Sequence, residues 1–163
     1  MSGKREMKIF SLLVNNKPGV LFRITSHFKR RNYNIESIAV GPTEKSDTSR
    51  MVIAMMGDEK AAESFSRQLR RELDVLDVSR INEENAILHE LAFVKVITVD
   101  SQARNSVFAL ANSSGARVLE VSKDSVIVEI TGVQKSIDNF INLVSEFGVQ
   151  SVSRTGVTAV ERG

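Results

Sequence analysis

Between an apolar run and an amphipathic one, the chain places Asn15, Asn16, Lys17, Pro18 and Gly19 in succession, followed by Val20 and Leu21. Pro18 fits the first turn of a helix, where its missing N–H would have no partner, and Gly19 leaves room for a ligand to approach the following backbone N–H groups. Those groups, with the positive end of the helix dipole, favour a carboxylate. The side-chain carbonyl of Asn15 or Asn16 can accept from an ammonium group, and Val20 and Leu21 offer apolar contact beside it. Together these features suit the three parts of an aliphatic amino acid. The same residues also fit a plain capped turn.

Other chemistry is scarce. No phosphate-binding loop of the form Gly-x-x-x-x-Gly-Lys, no Gly-x-Gly-x-x-Gly fingerprint and no His-Glu-x-x-His helix occurs in the 163 residues. The two histidines, His27 and His89, fall in different halves of the chain and do not suggest a shared metal or acid–base role. Glu83 and Glu84 are adjacent in a polar stretch, where paired carboxylates serve solvation. With no cysteine, disulfides and thiolate sites are excluded. The net charge of +2 gives a nucleic-acid backbone little to hold. Base stacking on a sheet needs aromatic residues on central strands, and the candidate strands "MKIFSLLV" and "RMVIAMMG" offer only Phe10. No apolar run approaches a membrane span, and the start "MSGKREMKIF" lacks the apolar core of a signal peptide. A soluble cytoplasmic protein without membrane or nucleic-acid partners is expected.

The elements that position the Asn-Pro-Gly loop follow from alternating periodicities. Met7 to Val14 is a strand, and Val20, Leu21, Ile24 and Phe28 recur at helical spacing. Tyr33 to Val40 and Arg50 to Met56 are two further strands joined by a Gly-Pro-containing loop. Asp58 caps a helix with Ala62, Phe65 and Leu69 on one face, and "DVLDVSRI" returns as a strand. After "NEENAI" the order repeats: strand "HELAFVKVITVD", a helix from Ser101 to Ser114 closed by Gly115, strands "ARVLEV" and "DSVIVEI", a helix marked by Val133, Ile137, Phe140, Ile141 and Val144, and a last strand "VQSVSRTGVTAV". The expectation is an α+β chain of two tandem ferredoxin-like βαββαβ modules, residues 1–82 and 89–163, joined by a linker at 83–88. Modules this small, each with helices on one sheet face, also predict at least a dimer.

The segment "NNKPGVLFRITSHFKRRNYNIESIAVGPTEKSDTSRMVIAMMGDEK" resembles the ACT domain of the small, regulatory subunit of acetohydroxyacid (acetolactate) synthase, the first common enzyme of branched-chain amino-acid synthesis. "QLRRELDVLDVSRI", "HELAFVKV" and "SRTGVTAVERG" extend the likeness over nearly the whole chain, although the second half is more loosely ACT-like. "PGVL" is shared by many ACT domains, whereas "YNIESIAVGPTE", "SRM" and "RTGVTA" are more specific. Lys17 stands where that family commonly has an acidic residue.

The resemblance implies a non-catalytic partner that activates a large catalytic subunit and makes it inhibitable by valine. Thiamine diphosphate, Mg and FAD are then expected on that large subunit and not on this chain. It also implies an effector held between two ACT domains of a homodimer. The loop side would be Asn16, Gly19, Val20 and Leu21 of one copy, and the opposite side Asn34 and Ile35 of the other. The alternative is a free-standing ACT-type amino-acid sensor that regulates another enzyme or transcription, although no separate helix-turn-helix segment is available for DNA.

Overall fold

The structure, a computed structural model, describes residues 5–163. Two compact units are present: residues up to Leu88 together with Val157–Gly163, and His89–Gly156. The first unit contains β1 (Glu6–Asn15), α1 (Val20–Arg31), β2 (Ile35–Pro42), β3 (Thr48–Gly57), α2 (Glu59–Leu69) and β4 (Val75–Ile81). Its antiparallel sheet has the order β2-β3-β1-β4, so β2 and β4 are edges. Next comes β5 (Ala86–Ile97), which carries the chain into the second unit, with α3 (Ser101–Ser113), β6 (Arg117–Val121), β7 (Ser125–Gly132), α4 (Gln134–Val144), a 3-10 turn (Ser145–Phe147) and β8 (Val149–Arg154). There the order is β6-β7-β5-β8, which repeats the first topology.

The helices form where period and caps agree. In α2, Asp58 accepts from the Ala61 N–H at 2.8 Å, and Ala62, Phe65 and Leu69 are buried on one face. In α3, Asp100 caps through Ala103 in the same way. Helix α1 buries Val20, Ile24 and Phe28 against Phe10, Leu12 and Phe65, which gives the first unit its helix-side core.

Two expectations change. The stretch "NEENAI", read as a linker, starts as a tight turn and runs into β5: the Ala86 N–H donates to the Asn82 carbonyl at 3.0 Å, and the Asn82 side chain accepts from the Glu84 and Asn85 N–H groups. The final stretch is not one strand. It breaks after Arg154 and resumes as β9 (Thr158–Glu161), which pairs with β5 and belongs to the first unit. Gly156, at φ +77, supplies a left-handed backbone at the break. Val157 and Ala159 then pack with Val52, Ile81 and Ala86, with Ile9 and Leu88 alongside. This second apolar cluster helps to cover the sheet of the first unit.

Before the break, Arg154 joins Glu90 of β5 and also donates to Asp138 of α4 at 2.6 Å. Glu90 is 5% exposed. Burying a carboxylate is tolerated only with such a partner, and the two acidic neighbours raise the Arg154 pKa against the opposing effect of burial. Arg154→Ala is therefore expected to destabilise the second unit by about 3–5 kcal/mol, the cost of stranding a buried charge. Chemical denaturation of the variant checks this, and Glu90→Gln in the same background should recover part of the loss.

In the first unit Glu59 bridges Arg80 of β4 and Lys8 of β1. The hydrogen bond from Arg80, followed by the Lys8 contribution, lowers its pKa from 4.5 to about 2 despite the opposing effect of desolvation. A depressed folded-state pKa means that this pair stabilises the fold fully above pH 4.5 and loses its contribution as pH falls through about 2. Thermal melts between those pH values should fall less steeply for Arg80→Ala than for the wild type.

Candidate functional site

The loop predicted to receive a ligand is anchored through both of its asparagines. The Asn16 N–H donates to the Asp47 carbonyl at 2.8 Å, and its side-chain Nδ2 reaches the Ser46 carbonyl at 3.4 Å. Asn15 Nδ2 donates to Asp74 at 3.2 Å, and Arg23 also pairs with Asp74. The Asn15 amide, with Arg23 and Lys17, holds the Asp74 carboxyl below the ordinary carboxylate range. Asn15 is thus turned to a structural partner, while Asn16 remains exposed.

The helix begins at Val20, so Pro18 lies in the turn before it and not in the first helical turn. Val20 N–H donates to the Lys17 carbonyl at 3.4 Å, with Gly19 at φ +83 and ψ −8. Proline at the second position and a left-handed glycine at the third are the requirements of a type II turn. No side chain caps this end of α1, and of its first N–H groups that of Val20 is taken up by the turn. Among the apolar residues here, the Val20 side chain is 4% exposed and belongs to the core, whereas Leu21 is 47% and Phe22 74% exposed. Phe22 did not emerge from the sequence, although helical spacing from the buried set Val20, Ile24 and Phe28 places it on the outer face.

The other half of the expected site lies past the far end of α1. Asn32, at φ +55, ends the helix, and the chain turns into the edge strand β2. Asn34 is exposed and donates from Nδ2 to Glu36 Oε1 at 2.8 Å. Ile35 is half-buried, leans on the core and pairs with Met55 of β3. Tyr33, Asn34, Glu36, Gly57, Asp58 and Lys60 line a recess of about 510 Å³.

The two halves are not brought together within one chain. Asn16 and Gly19 precede α1 and Asn34 follows it, and a helix of 12 residues is about 18 Å long. The histidines fall in different units: His27 Nε2 donates to Glu72 at 2.6 Å in the first, while His89 opens the second. No group of three or more His, Asp or Glu side chains among the described residues is arranged to hold a metal ion. No helix there is long and apolar enough to cross a membrane.

A βαββαβ unit with a Pro-Gly turn before its first helix and an open β2 edge defines the class of ACT-domain regulatory proteins. The pattern described as the AHAS small subunit-like ACT domain matches residues 10–77, and that described as the small subunit of acetolactate synthase matches residues 89–163. The acetolactate synthase small subunit of Bacillus subtilis is 38% identical over 157 residues, covering 96% of this chain and 91% of that protein. The Mycolicibacterium smegmatis small subunit is 34% identical over 163 residues, covering 100% and 95%. The crystal structure of the small subunit from Thermotoga maritima superposes with a TM-score of 0.87 at 34% identity, covering 97% of this chain and 98% of that one. The chain belongs to the acetolactate synthase small-subunit family, and its role is that of a regulatory, non-catalytic subunit.

Because Gly19 sits at φ +83, a side chain there is strained even though its Cβ would meet only the guanidinium end of Arg23, at 3.3 Å. Gly19→Ala should lower the stability of the first unit by about 1–2 kcal/mol, measured by urea denaturation. Gly19→Asn should cost less, since asparagine tolerates the left-handed region better.

Proposed function

We propose that this chain activates the large, thiamine-diphosphate-dependent subunit of acetolactate synthase and makes it inhibitable by valine, or a closely related branched-chain amino acid, acting in the cytoplasm. On this reading two copies dimerise through their ACT units and share two effector sites. The observation that carries it is the separation of the half-sites by the length of α1, together with the edge position of β2 beside Asn34. A second copy docking along β2 would bring its uncapped helix end to the first copy's Asn34. The uncapped N–H groups after Gly19 would take the effector carboxylate, Asn16 and Asn34 its ammonium group, and Leu21 with Phe22 its side chain. Val20 contributes its backbone and Ile35 its strand edge. Thiamine diphosphate, Mg and FAD belong to the large subunit on this reading.

Metabolite sensing at micromolar to millimolar levels asks for about 4–8 kcal/mol, which a few charged hydrogen bonds and one aliphatic contact supply. Preference between valine and leucine rests on about 1–3 kcal/mol per methylene.

The test reconstitutes the large subunit with single and mixed variants and titrates valine against acetolactate formation. Gly19→Asp sets a fixed carboxylate where the effector's would sit; against Gly19→Asn, which has a similar backbone burden, it should weaken inhibition more than about tenfold. Asn34→Ala should do the same by about 1–3 kcal/mol while leaving activation intact. Mixing Gly19→Asp chains with Asn34→Ala chains should restore one intact site per mixed dimer, because one wild-type loop then meets one wild-type Asn34. A pocket built within one chain would remain dead in every mixture, and that result would overturn the reading.

A further inference from the structure

The edge strand β2 has an irregularity at the proposed half-site. Ile35 pairs with Met55 and Ser37 with Ala54, so Glu36 is an extra residue, the unpaired member of a β-bulge. The bulge has a packing reason. Ile35 and Ile38 both lean on the helix-side core, and residues three apart on a regular strand would face opposite sides of the sheet. It also leaves Glu36 exposed, with its carboxylate 2.8 Å from Asn34 Nδ2.

We propose that Glu36 is a positioning residue for effector recognition: its carboxylate fixes the Asn34 amide so that the carbonyl Oδ1 is presented to the ammonium group of the ligand. The proposal rests on the effector reading above and adds how the site recognises the charged nitrogen. An asparagine amide is nearly symmetrical in shape and can rotate to offer either a donor or an acceptor. With Glu36 in place, the rotated form would set Oδ1 against a carboxylate, and repulsion removes it. The retained form keeps one N–H on Glu36 and turns Oδ1 away from it. Asn16 is set in a similar way, its Nδ2 engaged by the Ser46 carbonyl. Both half-sites therefore offer a carbonyl oxygen, which a free ammonium group satisfies and a donor-free substituent does not.

The experiment measures valine binding calorimetrically to the full chain as wild type, Glu36→Ala, Glu36→Gln, Asn34→Ala and the Asn34→Ala/Glu36→Ala pair. Circular dichroism confirms that each variant is folded. Glu36→Ala should weaken binding about tenfold by freeing the amide to rotate. Glu36→Gln, whose side-chain carbonyl still accepts from Asn34, should stay within about threefold of wild type. In the double variant the Glu36 substitution should add nothing, because its effect passes through an amide already absent. Additive losses, an equal loss in Glu36→Gln, or no loss in Glu36→Ala would each overturn the positioning role while leaving the effector site standing. Absence of binding of valine, leucine and isoleucine alike by the wild type would overturn the effector reading and this inference with it.

Discussion

The packing of Phe28 against Phe65, with ring centres 4.2 Å apart, is the contact on which the placing of both ends of α1 depends. Phe65 in turn meets Phe10 of the central strand edge-on at 5.2 Å. These three rings clamp α1 to α2 and to β1, and such aromatic pairs are worth more than the area they bury. Everything assigned to the effector hangs from the two ends of the clamped helix. The Pro-Gly turn is aimed by where α1 starts, and Asn34 by where it stops. A helix free to slide would blur both ends together, so this core sets the span that a second copy would have to match in the proposed dimer.

Electrostatics tighten the same frame without creating a catalytic centre. Asp74 gathers Asn15 and Arg23 beneath the turn, and Glu59 ties β1 to β4 through Lys8 and Arg80. These pairs lie at or near the surface, where each contributes modestly; they orient loops more than they stabilise the fold. The Arg154 contact with Glu90 differs because one partner is buried, and it fixes where the chain leaves the second unit.

How far the residues alone revealed this varies with the physics of each element. Helix α2 was readable in full, because Asp58 and the Ala62, Phe65, Leu69 spacing are local signals that tertiary packing reinforced. Helix α1 was readable as a helix but not at its start: proline suits both a first turn and a type II turn, and the choice depends on the Gly19 torsion. Val20, read as an apolar contact, has its side chain in the core, whereas Phe22 lies exposed beside Leu21. The Glu36 bulge was hidden, since alternation cannot show an extra residue until Ile35 and Ile38 are known to share a face. "VQSVSRTGVTAV" read as one strand because its β-branched residues continue across the break, and the change of unit after Gly156 depends on contacts far away in sequence.

That return of Val157–Gly163 to the first unit makes the unit discontinuous along the chain. During synthesis the helix-side core around Phe28 can assemble as soon as β4 has emerged, but Val52 and Ile81 wait for Val157 and Ala159 until all of His89–Gly156 has left the ribosome. The first unit is thus begun before the second and closed after it. A nascent chain that has not yet reached Val157 and Ala159 would expose an apolar sheet surface that those residues cover, the kind of transient exposure that makes partly made chains prone to aggregate.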